Sequence, residues 1–63
     1  MHLLRGQAAR HLANAAAQLN EAIASVLMDD STGDDAARQD INRALENIGY
    51  AYKAILQTPP DKE

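Results

Sequence analysis

Two interleaved seven-residue series, one of small residues and one of large, recur in both halves of this chain and restrict it to close-packed helices. In the first half Ala8, Ala15 and Ala22 form the small series, and Leu12, Leu19 and Val26 the large one. In the second half the same pattern returns as Ala37, Ala44 and Ala51 beside Ile41, Ile48 and Ile55. A strand exposes alternate residues on one face, so only a helix gathers positions seven apart into a stripe. Ala16 and Ile23 widen the first stripe, and Leu45, Tyr52 and Leu56 flank the second. Small residues in one series and large ones in the other predict that two helix axes approach closely, with large side chains packed over the alanines opposite. A sustained heptad of this kind favours the shallow crossing angle, near +20°, of antiparallel bundles.

The element boundaries follow from breakers and caps. From Leu4 to Met28 there is no proline, Gly6 is the only glycine, and Ala, Leu, Gln, Arg and Glu are strong helix formers. This predicts a first helix over about 4–28. Asp29-Asp30-Ser31-Thr32-Gly33 reads as an acidic turn over 29–33. A second helix is then expected over about 34–57, with Thr32 as its N-cap and Asp34 and Asp35 at the positive end of its dipole. Thr58-Pro59-Pro60 ends it, because proline lacks the backbone donor and disfavours helix in the residue before it. Residues 58–63 are expected to be a disordered tail beyond a single hairpin domain, 1–57.

Size then becomes decisive. The chain has 63 residues, no cysteine, no Phe and no Trp. So small a chain buries about 60% of the surface it exposes when unfolded, and such scaffolds normally need disulfides, a metal or a second chain. A lone hairpin would leave Ile23, Leu27, Leu45, Tyr52 and Leu56 wet. The expected architecture is therefore all-α: an antiparallel two-helix hairpin that dimerises into a four-helix bundle. Its seam comprises Ala8, Leu12, Ala15, Leu19, Ala22, Ile23, Val26, Ala37, Ile41, Ala44, Leu45, Ile48, Ala51, Tyr52 and Ile55.

Charge is unevenly placed within a net of −3. Residues 1–20 hold Arg5 and Arg10 and no acid, whereas residues 21–40 hold Glu21, Asp29, Asp30, Asp34, Asp35 and Asp40 against Arg38 alone. An antiparallel pair of hairpins would lay the acidic turn of one beside the basic end of the other. The acidity argues against nucleic acid as a partner, since phosphate binding relies on clustered Lys and Arg. No apolar run reaches the roughly 20 residues that span a bilayer, so a cytoplasmic location and no membrane contact are expected.

Catalytic chemistry has no visible carrier. His2 and His11 are not spaced as a helical metal pair, and neither has a Glu three residues before it, as a di-iron bundle requires. No frame through Asp29 to Asp40 supplies the ligand spacing of a calcium loop. Ser25, Ser31, Thr32 and Thr58 lack a His–carboxylate pair to activate them. The chain is expected to be no enzyme and to take no cofactor and no metal. Function then falls to surfaces. Projected on a helical wheel, Tyr50 lies opposite the isoleucine series with Arg43, Glu46, Asn47 and Ala54, and Arg43, Asn47 and Tyr50 are the candidate partner-binding patch, because Tyr and Arg are enriched at interface hot spots. Ala13, Ala17 and Ala24 offer a second, smooth strip on helix 1.

The expected role is that of a homodimeric helical binding protein which modulates or inhibits another, unidentified protein by direct contact, as small phage- and plasmid-type regulators and adaptors do. In length, hairpin layout and alternating small and large core layers the chain also resembles the Rop-like plasmid copy-number regulators. That resemblance implies an alternative, a dimer that binds paired RNA loops. An RNA face needs a row of basic residues, and Arg10 has Gln7, Asn14 and Gln18 around it. A purely structural dimerisation module is the third reading.

Overall fold

The computed structural model describes residues 3–57 as two long helices, α1 (Leu3–Leu27) and α2 (Ser31–Gln57), packed against each other as a hairpin. The N-terminal helix follows the expected span within a residue at each end. The second begins three residues earlier than the turn chemistry predicted, and the tail expected over 58–63 lies outside the described residues.

The early start has a clear cause. After Leu27 the chain tightens, with Met28 N donating to the Ser25 carbonyl (3.2 Å) and Asp29 N to the Val26 carbonyl (3.1 Å). Asp29 then adopts a left-handed backbone, φ 56°, the conformation that ends many helices and that Asp and Asn tolerate better than most residues. One residue on, the Asp30 carboxylate accepts a hydrogen bond from Gly33 N (2.6 Å), and its carbonyl accepts the first helical bond, from Asp34 N (2.9 Å). Asp30 is therefore the N-cap of α2, in place of Thr32. With a left-handed aspartate followed at once by a capping aspartate, the reversal fits within residues 28–30, and Ser31, Thr32 and Gly33 become the first helical turn.

Gly33 marks where that first turn presses on α1. A Cβ built there would lie inside van der Waals contact with the Ser25 carbonyl oxygen, 3.0 Å from Met28 Cβ and 3.1 Å from Asp30 Oδ1. The hairpin is thus closed at its turn by backbone meeting backbone.

Between the helices the filling is alanine. Ala8, Ala15, Ala22, Ala37, Ala44, Ala51 and Ala54 are the buried apolar residues, with Ala44 and Ala51 only 1% exposed. Ala8 packs with Ala51 and Ala54, and the seven-residue spacing then brings Ala15 level with Ala44 and Ala22 level with Ala37. This corrects two expectations. The large residues do not lie over the alanines opposite, because helices that meet on methyl groups approach to the short end of the usual range, about 8 Å, and leave no space between them for Leu or Ile. Ala54, expected on the outer face, is buried, because α2 is rotated so that the position after Lys53 turns towards α1.

Candidate functional site

Each helix carries a third heptad series on the other side of the alanines, and the hairpin therefore has two unlike faces. One residue before Leu12 and Leu19 stand His11 and Gln18, and one residue before Ile41 and Ile48 stand Asp40 and Asn47. In an antiparallel pair, positions turned the same way from the contact line on both helices emerge on the same side. The large residues thus share one face of the hairpin and the polar ones the other.

The polar face is locked across the seam. His11 Nδ1 lies 2.8 Å from Asn47 Oδ1, and since an amide oxygen only accepts, the imidazole donates from Nδ1 and, when neutral, leaves Nε2 as an acceptor. Asn47 Nδ2 donates to Gln18 Oε1 (2.9 Å) and to the Arg43 carbonyl (3.2 Å). The Tyr50 ring stacks on His11 with centroids 5.2 Å apart and planes tilted by 42°, a favourable distance for aromatic rings. Of the predicted patch, Asn47 is half-buried and committed to these bonds, whereas Arg43 and Tyr50 stay exposed, Tyr50 at 55%. In the sequence alone, His11 figures only as a metal-ligand candidate without a helical partner. The signal that pairs it with Asn47 was present, since His11 and Gln18 are seven apart and each precedes a large-series leucine.

Asp40 is also buried on this side, at 7% exposure. Among the described residues no three His, Asp or Glu side chains gather to hold a metal ion, and no helix is long and apolar enough to cross a membrane. The ion pair Arg38–Asp35 (3.2 Å) is fully at the surface, where such pairs contribute between zero and about 1 kcal/mol. Ala13, Ala17 and Ala24 are exposed along the outside of α1.

The apolar face is the larger feature. Leu12, Leu19, Ile23, Val26, Ile41, Leu45, Ile48, Tyr52, Ile55 and Leu56 are all exposed, from 40% at Ile48 to 66% at Leu56. No large side chain is fully buried anywhere in the described hairpin. Near the turn the face deepens into a groove of about 490 Å³ lined by Leu19, Ala22, Ile23, Val26, Leu27 and Ile41. No protein family, curated protein or solved structure matches this chain.

Proposed function

We propose that this chain is a non-enzymatic binding protein that pairs through its apolar face into a four-helix bundle and presents its polar face to another protein, whose activity it modulates. The observation that carries the first half is the continuous stripe of exposed Leu, Ile, Val and Tyr side chains on one side of a hairpin whose buried apolar residues are all alanine. Each buried methylene contributes about 0.8 kcal/mol, so a seam of methyl groups stabilises far less than the large residues would if covered. A face two helices wide and about 36 Å long offers on the order of 700 Å², close to the roughly 800 Å² per partner of a stable interface. A second copy provides a cover of the same length with no further sequence.

Once that face is covered, the side bearing His11, Arg43, Asn47 and Tyr50 remains outward. Tyr50 is held by its contact with His11, and Asn47 by bonds to three partners. An aromatic ring already fixed in place loses little freedom on docking, which favours affinity. Arg43 stands one turn before Asn47 and completes a patch with the composition of interface hot spots.

Light scattering across a dilution series, with helical content followed by circular dichroism, tests the pairing. The expected result is a species of twice the chain mass that loses helicity as it dissociates. A helical monomer stable on dilution would overturn the dimer and make the apolar face itself the site for a different protein. The docking half is tested by capture from source lysate with wild-type, Arg43→Ala and Tyr50→Ala baits. A protein retained by the first and lost with the variants is expected; equal recovery on all three, with the dimer intact, would refute this patch.

A further inference from the structure

Resting on the dimer reading, we infer that the two hairpins run antiparallel and that each seats its Tyr52 in the groove near the turn of the other. Three observations converge. First, the groove lined by Leu19, Ala22, Ile23, Val26, Leu27 and Ile41 is wholly apolar and open on the face that must be covered. Second, Tyr52 is the aromatic residue of that face and is 63% exposed. Third, the positions match. Take the level of Ala15 and Ala44 as the middle of the hairpin. Ile23 lies eight residues from it towards the turn and Tyr52 eight residues from it towards the open end, each about 12 Å along the axis. A two-fold axis across the hairpins at that level carries the partner's Tyr52 to the level of Ile23, in the middle of the groove. A parallel pair would leave the two tyrosines together at the open end, about 24 Å from either groove.

Charge selects the same orientation. The turn end, residues 20–40, holds Glu21, Asp29, Asp30, Asp34, Asp35 and Asp40 against Arg38 alone. The open end of the described residues holds Arg5, Arg10 and Lys53 and no carboxylate among residues 3–12 and 47–57. Parallel stacking sets one acidic turn on another, whereas antiparallel stacking sets each acidic turn over a basic end. Each exposed pair contributes little, but all of them change sign together between the two arrangements.

The test uses the whole chain. It has no cysteine, so Thr32→Cys, exposed in the first turn of α2, gives one spin-label site per copy. Thr32 is twelve residues from the Ala44 level, so electron–electron resonance should read about 35–45 Å between labels in an antiparallel dimer and under about 25 Å in a parallel one. In parallel, Tyr52→Ala should weaken dimerisation at least about a hundredfold, since two such anchors are lost per dimer. Tyr50→Ala, on the opposite face, should change it less than about threefold. A dimer with the short distance, or one indifferent to Tyr52→Ala, overturns the seating and leaves the dimer standing. A chain that stays monomeric at every concentration removes the dimer and this proposal together.

Discussion

Replacing Gly33 by alanine should destabilise the hairpin, while the same replacement at Gly49 should stabilise it. The added methyl at position 33 meets the Ser25 carbonyl oxygen inside contact distance, with Met28 Cβ at 3.0 Å and Asp30 Oδ1 at 3.1 Å. Two of these neighbours, the carbonyl oxygen and the Cβ, are fixed to the backbone and cannot rotate away, so the first turn of α2 must move off α1 by about 1 Å to reach ordinary contact. That movement stretches the 2.6 Å bond between Gly33 N and Asp30 Oδ1 towards the limit for a hydrogen bond, about 3.2 Å. Overpacking costs about 1–3 kcal/mol and a lost N-cap about 1 kcal/mol, against a gain of about 1 kcal/mol from alanine's helix propensity. The net expectation is a loss of about 1–3 kcal/mol per chain. At Gly49 nothing lies within 4 Å of the added methyl, so the propensity gain, about 0.5–1 kcal/mol, stands alone. Urea denaturation followed by far-UV circular dichroism measures both, at one fixed protein concentration because a dimer's midpoint depends on it. A Gly33→Ala chain as stable as wild type would refute the close backbone approach at the turn.

Three further expectations follow from the same geometry. Asp30→Ala should cost about 1 kcal/mol of unfolding free energy, whereas Thr32→Ala should stay within about 0.5 kcal/mol; equal effects would return the cap to Thr32. Ala44→Leu places a large side chain in the middle of the seam and should lower stability by about 1–3 kcal/mol, read from the same urea curves; a neutral result would mean that the helices are not in close contact there. Asn47→Ala strands His11 Nδ1 and Gln18 Oε1 and should cost about 1–2 kcal/mol, with faster exchange of the neighbouring amides; no change would show that the cross-seam bonds contribute nothing.

The two helices and their antiparallel pairing were legible because periodicity seven with no internal proline admits no other regular structure. The sorting of the series was less so. The sequence groups Ala8, Ala15 and Ala22 and their counterparts with Leu12, Leu19 and Val26 as one interlocking core, and composition does not reveal that the methyl groups alone suffice to fill a two-helix seam. The cap was misplaced because Thr32 and Asp30 are both good N-caps, and the choice between them depends on Asp29 taking a left-handed backbone, which is a property of three residues acting together. The pairing of His11 with Asn47 needed a register, and register follows from the turn length that the misplaced cap had obscured. Of the candidate patch, residue type identified Tyr50 and Arg43, while the commitment of Asn47 to the other helix depends on contacts between segments 29 residues or more apart in sequence.

The alanine seam also bears on how the hairpin keeps its alignment. A methyl group has no rotamers to lose on burial, so each contact forms without a side-chain entropy penalty, but it is also unkeyed: one alanine fits against any other. Sliding α2 by a full heptad would still set Ala8 beside Ala44 and Ala15 beside Ala37. What fixes the register is therefore at the edges, in the short reversal through Asp29 and Asp30, in the bonds of Asn47 to His11 and Gln18, and in the His11–Tyr50 contact. With the turn severed, the polar contacts of His11, Gln18, Asn47 and Tyr50 would be left to hold the alignment against neighbouring ones.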